Sequence, residues 1–505
     1  MNPTYSVIAV TVVALSTLAI GAFGMRLSRT TSDFYVASRS VSPALNSSAI
    51  GGEYLSAASF LGVAGLVLAF GADMLWYPIG WTAGYLLLLV FVAAPLRRSG
   101  AYTIPDFAQV RLQSDAVRRV CTILVVGVGW LYLLPQFQGA GLTLQTVTGT
   151  PTWVGVVLVA AIVVLNVVSG GMRSITFVQA FQYWLKLTAL LVPAFFLLHA
   201  WTGDGSPPPL ADDDWFLPFG SSNGSLYTTY SVMVATFLGT MGLPHVVVRF
   251  YTNPDGRAAR RTTLIVLGLL GIFYLLPTIY GVLGRVYASD LAAVGKADTV
   301  VLELPSRVLG GTLGELMAAL LTAGAFAAFL STSSGLTMAI AAVAGQGLSR
   351  LAQRSDRAVL RRLSSITALR LAAVTCVLVP LALALLAEPI SVASSVTFAF
   401  ALAASTFCPL LVLGIWWRGL TARGAIAGLV GGGLCAGAAP ILTLAARPDG
   451  WWGLVMNQPA AWSVPVGFAL MVGVSLATRA SVPANVSRTM VRLHTPERID
   501  VDRRF

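Results

Sequence analysis

Hydrophobic runs of about 20 residues recur along nearly the whole chain, and this feature limits the folds that the chain can adopt. The sequence has 505 residues, of which 56% are hydrophobic and only 10% are charged, and its mean hydropathy is +0.79. Soluble domains have about 25% charged residues. Membrane-spanning β-strands would give segments of about 10 residues with alternating polarity. The pattern therefore predicts an all-α integral membrane protein.

The distribution of positive charge predicts how the chain crosses the membrane. Most of the 32 Lys and Arg residues fall in loops on one side of the predicted spans, which the positive-inside rule makes the cytoplasmic side. We predict about 13 spans, with the N-terminus outside and the C-terminus inside the cytoplasmic (inner) membrane. Residues 1–480 would form a single transmembrane domain, and residues 481–505 a cytoplasmic tail. No Lys or Arg is expected at midplane depth.

Residues 47–71 form a hydrophobic run that carries a carboxylate. Glu53 stands near the middle of this run, directly after Gly51 and Gly52. A charge at bilayer depth is costly and usually faces a bundle interior or a watered cavity. Paired glycines weaken the helix at the same point, which is typical of a discontinuous helix whose backbone groups bind an ion or substrate. Two interpretations remain: Glu53 attracts a cation or takes up a proton, or it is a solvated carboxyl at a helix end.

A second interrupted run lies five spans later. It contains Gly239, Gly242 and Pro244, and the proline removes a backbone donor, so the helix should bend or break there. Because five is odd, the second and seventh spans would run in opposite directions, as an inverted-topology repeat requires. His245 could gate, bind substrate or titrate, although a lone histidine more often has a structural role. Arg249 is expected at the cytoplasmic interface.

Polar side chains in two further runs are candidates for binding. In the fourth span Pro135 is followed by Gln136 and Gln138, whose amides could contact a substrate or bond to neighbouring helices. In the ninth span the sequence AAFLSTSSG places hydroxyls at adjacent positions. These hydroxyls, with a carbonyl one turn earlier, could bind a sodium ion, or they could bond to their own backbone.

The motifs argue against other classes of function. The sequence has no HExxH, nucleotide-binding loop or paired Asp-rich motif, so an enzyme is not expected, and no cofactor is expected. The positive charge belongs to membrane loops, so nucleic acid is not an expected partner. The cysteines lie in apolar runs without paired spacing, and they predict neither a zinc site nor a disulfide framework. They are Cys121, Cys376, Cys408 and Cys435.

Several stretches together resemble the sodium:solute symporter family, and within it the cation/acetate symporters. They are GGEYLSAASFLGVAGLV, LYLLPQFQGAG, SGGMRSITFVQ, GLPHVVVRF and FAFALAASTFCPLLVLGIWW followed by RGLTARGAIAG. The resemblance implies about 13 transmembrane helices in a LeuT-type 5+5 inverted repeat, with one extra N-terminal helix and two extra C-terminal helices. It also implies sodium-coupled uptake by alternating access, and residues 1–480 would then be a single transporter domain.

The resemblance further implies an ion site and a substrate site. In sodium-coupled members, Na⁺ is bound by carbonyls of the broken helix and by a carbonyl and two hydroxyls of a later helix. The matching residues here are Gly52, Leu55, Ala328, Ser331 and Thr332. Many acetate-type members lack both hydroxyls, so their presence favours sodium over protons. The implied substrate residues are Ser56, Ala57, Ser59, Gln136, Thr236 and Thr240, and their small size implies a small substrate.

The sequence therefore predicts a secondary active transporter that imports a short-chain, acetate-like monocarboxylate together with Na⁺. Because no cationic side chain is expected at midplane depth, helix N-terminal amides, hydroxyls and the bound cation would have to hold the carboxylate. Glu53 and His245 are candidates for coupling or gating. The alternatives are a proton-coupled monocarboxylate carrier that uses Glu53, or a Na⁺-coupled symporter of another small solute such as proline.

Overall fold

The chain folds almost entirely into helices. The structure, a computed structural model, describes residues 3–26, 31–210, 213–219, 223–353, 364–387, 392–446, 449–497 and 499. The helices in the first half are α1 (Pro3–Met25), α2 (Thr31–Val36), α3 (Pro43–Tyr54), α4 (Val63–Phe70), α5 (Trp76–Leu87), α6 (Ala93–Arg98), α7 (Ile104–Leu112), α8 (Asp115–Thr148), α9 (Thr152–Gly203), α10 (Asn223–Gly242) and α11 (Pro244–Val248). The later helices are α12 (Gly256–Tyr287), α13 (Asp290–Ala293), α14 (Val300–Val308), α15 (Gly311–Gln353), α16 (Ser365–Leu386), α17 (Val392–Trp416), α18 (Ala422–Ala446), α19 (Gly450–Asn457), α20 (Ala460–Ala477) and α21 (Val486–His494).

Eleven helical segments among the described residues are long and apolar enough to cross a membrane. Two of them are much longer than one crossing needs, because about 20 residues suffice. Residues 58–98 are interrupted at Gly71 (φ 77°, ψ −147°), and α9 is interrupted at Gly171 (φ 59°, ψ −161°). Each of these two segments is long enough to cross twice. The multi-pass architecture is therefore confirmed, while the number of about 13 spans stays a prediction.

Both predicted helix breaks are present. The hydroxyl of Ser42 caps the start of α3, and α3 ends at Leu55, whose backbone (φ −73°, ψ 84°) is not helical. The chain becomes helical again with a π-turn at residues 58–62 and continues into α4. In the seventh span Leu243 is extended (φ −68°, ψ 119°) between α10 and α11. These two breaks lie where the glycines and Pro244 predicted them.

A close contact between α3 and the second half of α9 brings the break in α3 into the core. A Cβ added at Gly52 would lie 2.0 Å from the carbonyl oxygen of Gln179, so no larger residue fits there without a shift of the backbone. The second partner of this region is α15, which packs against both α9 and α3. Three helices therefore converge on the break.

The described part of the C-terminal tail is packed against the helical bundle. Helix α21 contacts α6, and beyond its end Glu497 accepts a hydrogen bond from the backbone N–H of Gly256 and forms an ion pair with Arg98 at 3.4 Å. Helix α7, expected to lie at the membrane interface, is anchored in the protein because the buried Arg111 donates to the carbonyl oxygen of Gly414. Both segments thus close one end of the bundle.

Gly171 provides a test of the sharp turn within α9. Its φ of 59° with ψ −161° lies in a region that is essentially restricted to glycine, and an added Cβ would lie 2.5 Å from the ring of Phe34. We expect Gly171→Ala to destabilise the protein by about 1–3 kcal/mol, seen as a lower melting temperature in detergent. The control is Gly127→Ala in α8, where an added Cβ has nothing within 4 Å. A Gly171→Ala variant as stable as this control would contradict the strained turn.

Candidate functional site

The five residues predicted to bind a cation come together around the break in α3, but a lysine reaches into the same place. Lys186 of α9 is fully buried. Its Nζ atom donates to the carbonyl oxygens of Gly52 at 2.5 Å and Leu55 at 2.7 Å, and to the hydroxyl of Ser331 at 3.0 Å. The expectation that no Lys or Arg lies at midplane depth is therefore wrong. Three of the expected sodium ligands are engaged by this ammonium group.

The remaining expected ligands complete the connection between α3 and α15. The hydroxyl of Thr332 donates to the carbonyl oxygen of Glu53 at 2.6 Å, and the hydroxyl of Ser331 donates to that of Ala328 at 3.1 Å. The side-chain amide of Gln179 donates to the carbonyl oxygen of Ser331 at 2.8 Å. In this conformation, bonding to backbone groups therefore describes the hydroxyls of Ser331 and Thr332, each of which has a carbonyl partner. The hydroxyls of Ser333 and Ser334 in the same cluster have no hydrogen-bond partner among the described residues.

Glu53 and Arg249 form a buried ion pair. The Nε atom of Arg249 lies 2.5 Å from a carboxylate oxygen of Glu53, and the exposed fractions of the two side chains are 1% and 2%. Arg249 also donates to the hydroxyl of Thr176, and its carbonyl oxygen accepts from the side-chain amide of Asn46. The interpretation of Glu53 as a solvated carboxyl at a helix end is wrong, because its side chain is buried among protein groups. Arg249 is likewise buried within the protein, while its depth in the membrane stays a prediction.

The expected substrate residues on α8 and near the break in α3 form one buried cluster. The side-chain oxygen of Gln136 accepts from the backbone N–H of Ala57 at 3.2 Å. The hydroxyl of Tyr132 donates to Ser56 at 3.4 Å, and the hydroxyl of Ser59 bonds to that of Tyr274 at 2.9 Å. Each of the four expected residues in this cluster is at most 2% exposed. The cluster is thus closed to solvent in this conformation.

The other two expected substrate residues lie at a helix contact. The hydroxyl of Thr236 donates to the carbonyl oxygen of Val232 within its own helix, and it packs so closely on Gly80 that an added Cβ there would lie 1.9 Å from it. The hydroxyl of Thr240 bonds to that of Tyr54 at 2.8 Å. In this conformation both hydroxyls serve the packing of α10 against α5 and α3.

Aromatic residues surround the cluster, and the sequence reasoning missed them. The ring of Trp81 lies 5.8 Å from that of Tyr274 and 5.9 Å from that of Phe400, between centroids. The ring of Tyr132 lies 5.9 Å from Phe400 and 5.2 Å from His245. Tyr132 stands three residues before Pro135 in a stretch already identified as a candidate, whereas the positions of Trp81, Tyr274 and Phe400 depend on packing between spans far apart in sequence. The expectation of small polar walls alone is therefore too narrow.

Several buried polar groups in this region have no hydrogen-bond partner among the described residues. They include two donors, the side-chain N–H₂ of Gln136 and the indole N–H of Trp81, and both ring nitrogens of His245, of which a neutral ring offers one as a donor and one as an acceptor. Buried polar groups are nearly always paired, and each unpaired one costs about 1–3 kcal/mol. Donors of this kind would gain most from a bound molecule that carries acceptor oxygens. His245 is therefore placed beside the cluster, while its gating role stays a prediction.

A cavity at the opposite end of α4 contains a second carboxylate of interest. It is lined by Gly65, Gln138 and Asp298, among others, and the side-chain amide of Gln138 donates to the carbonyl oxygen of Ala387. Asp298 lies outside the membrane-crossing helices, and burial raises its pKa to about 6. The interhelical role considered for Gln138 is the one seen here.

The comparisons with known proteins agree with this architecture. Residues 34–432 match the family model described as Sodium:solute symporter family. The uncharacterized symporter YwcA of Bacillus subtilis (strain 168) is 30% identical over 518 residues, which are 98% of this chain and 99% of that protein.

Two solved structures are similar in fold. One is a Na⁺-coupled sialic acid symporter in a substrate-bound outward-open state, with a TM-score of 0.68, 14% identity, and coverage of 93% of this chain and 98% of that chain. The other is Mhp1, a nucleobase-cation-symport-1 family transporter in a closed conformation with bromovinylhydantoin bound, with a TM-score of 0.58, 14% identity, and coverage of 92% and 99%. At this identity they show the fold alone, and the expected LeuT-type fold is confirmed.

The buried ion pair predicts a specific pattern in a double-mutant cycle. Removing one partner of a buried pair leaves an uncompensated charge and costs about 3–5 kcal/mol, whereas removing both is often nearly neutral. We therefore expect Glu53→Gln and Arg249→Met each to lower the melting temperature, and the double variant to recover most of the loss. The control cycle uses the exposed pair of Asp290 and Arg307, where little change is expected. Losses at Glu53 and Arg249 that simply add would contradict the coupling.

The raised pKa of Asp298 predicts a pH dependence of stability. Because its folded-state pKa of about 6 exceeds the ordinary value of 3.8, the folded state binds this proton more tightly than the unfolded state does. The stabilisation is present below pH 4 and is lost as the pH rises through 6. We expect Asp298→Asn, which cannot ionise, to lack this loss when melting temperatures are measured from pH 4 to 7.5. Parallel pH profiles of the two proteins would refute the assignment.

Proposed function

Because the chain belongs to the sodium:solute symporter family, we propose that it imports a small, acetate-like monocarboxylate together with a cation by alternating access. Membership in this family identifies a multi-pass membrane transporter of the symport type and implies transport rather than enzymatic catalysis. It also supports sodium as the coupling ion. The carboxylate, the cytoplasmic membrane and an outside N-terminus with an inside C-terminus are parts of the proposal.

The observation that carries the substrate class is the set of unpaired donors beside the break in α3. The second half of this broken span becomes helical at Ala57, and the N-terminal end of a helix favours negative charge. The side-chain N–H₂ of Gln136, whose oxygen is already bonded at Ala57, and the indole N–H of Trp81 are buried without partners. A carboxylate supplies two acceptor oxygens, which is what these donors lack.

The size of the substrate follows from the walls of the cluster. Ser56, Ser59 and Gln136 are fully or almost fully buried. The hydroxyl of Ser59 bonds to that of Tyr274, whose ring packs against the ring of Trp81. A short apolar body beside aromatic rings and one carboxylate fit such a closed space. Proline, the alternative substrate considered from the sequence, has a larger apolar body and also carries a carboxylate, so a direct comparison of substrates is needed.

The experiment is uptake of labelled acetate, propionate, pyruvate and proline into proteoliposomes that contain the purified protein. Sodium and proton gradients are imposed separately, and protein-free liposomes give the background. We expect one or more of the short monocarboxylates to accumulate above this background. Accumulation of proline alone would replace the monocarboxylate by an amino acid, and accumulation of none of the four would reject the proposed substrate class.

Gln136 gives a sharper test of carboxylate binding. Gln136→Glu keeps an oxygen that can accept from Ala57 but removes the free donor and adds a negative charge. A hydrogen bond to a charged group is worth about 1.5–3 kcal/mol, so we expect apparent affinity for the monocarboxylate to fall roughly tenfold or more. The control is Gln145→Glu, the same change at an exposed position on the same helix. Equal affinities of the two variants would remove Gln136 from the site.

A further inference from the structure

We propose that the ammonium group of Lys186 itself occupies the cation site between α3 and α15, so that this site does not bind a sodium ion while Lys186 is in place. This inference rests on the proposed function, because it names the cation that fills a site of the same transporter. It departs from the sodium ion that family membership supports, and the reason lies in the contacts of this particular chain.

The first argument is the number and kind of contacts. The three acceptors of Nζ are the carbonyl oxygens of Gly52 and Leu55 and the hydroxyl oxygen of Ser331. An ammonium group has three N–H donors and no acceptor, so these three oxygens use its full capacity. A neutral amine would have only two donors and would turn its lone pair toward one of the oxygens. The ligand geometry therefore matches the charged form.

The second argument is mutual exclusion. A sodium ion bound by Gly52, Leu55 and Ser331 would have to sit among the oxygens that now lie 2.5 to 3.0 Å from Nζ. Two positive charges held this close repel each other strongly in a buried site, where the effective dielectric constant is low. Sodium could enter only if the side chain of Lys186 moved away. The site thus holds one cation at a time, and in this conformation it is the ammonium.

The third argument is the choice of side chain. The chain contains only two lysines, Lys186 and Lys296, and the rest of its 32 Lys and Arg residues are arginines. Lysine carries its charge as a compact ammonium group on a flexible stem, whereas the guanidinium group of arginine is a broad planar fork. The one fully buried lysine therefore lies where the surrounding oxygens hold a single compact cation, while the other helix break is followed by Arg249.

The fourth argument is charge balance among the groups that face Lys186. Helix α3 contributes Glu53, which is already paired with Arg249. No ionisable side chain lies between Glu315 and Arg350 of α15, and α1 offers none along its span after Tyr5. The neighbouring phenols, Tyr183, Tyr274 and Tyr280, are engaged in hydrogen bonds. The ammonium is thus the excess charge, and a monocarboxylate bound near Ala57 would balance it.

The ammonium joins the break in α3 to α15 and so stabilises the closed conformation.

A binding measurement decides the question even if no monocarboxylate is transported. Lys186→Ala removes the ammonium and leaves the carbonyl and hydroxyl oxygens free, so Na⁺ should raise the melting temperature of this variant relative to choline. The wild-type protein, whose site is filled, should show no such rise. Stabilisation of the wild type by Na⁺ equal to that of the variant would refute the inference. If Lys186→Ala does not fold, a sodium-induced rise in the wild type refutes the inference and its absence supports it.

Discussion

The break in α3 depends on a positive charge held at its exposed carbonyl groups. Interrupting a helix inside a bundle frees backbone oxygens that water cannot reach, and each must find a donor. The ammonium of Lys186 satisfies Gly52 and Leu55 together and links them to Ser331 on α15. Without a cation at this point, two carbonyls would be buried without partners and α3 would lose its main polar connection to α15. The broken helix and the cation are therefore one structural unit.

A second buried charge stabilises the neighbouring turn of the same helix. Glu53 pairs with Arg249, and its backbone oxygen accepts from Thr332, so the residue connects to both α15 and the segment after the second helix break. An added Cβ at Gly335 would lie 2.1 Å from the Glu53 carboxylate, which shows how closely α15 approaches it. The two interrupted spans of the repeat are thus joined by a buried ion pair. This arrangement favours a structural role for Glu53, since its side chain and its backbone each hold α3 to a neighbouring segment.

The sequence predicted the helical class and both helix breaks, because each has a local signature: long apolar runs, paired glycines and a proline in a span. The convergence of α3 with α15 was implied by the resemblance to the family. The burial of Arg249 was not predicted, because a basic residue near the end of an apolar run is compatible with either a loop or the core. Lys186 stands inside the apolar run of α9, where a charge is itself a sign of function, but the oxygens that it contacts depend on packing. The aromatic residues around Gln136 were not predicted either. Trp81 and Phe400 come from spans far apart in sequence, so their proximity depends on the tertiary fold.

The sequence motif alone cannot distinguish a sodium site from an ammonium site, and the reason is chemical. Carbonyl and hydroxyl oxygens that would bind a sodium ion are the same acceptors that satisfy an ammonium group, so the motif in α3 and α15 identifies a cation site without identifying the cation. The deciding residue lies on a third helix, α9, about 130 positions from Leu55. Lys186 reaches these oxygens at the close contact between α3 and α9, which is possible because residue 52 is a glycine. Gly52 therefore has two effects: it weakens α3, and it lets the ammonium group approach the oxygens that would otherwise bind a free ion.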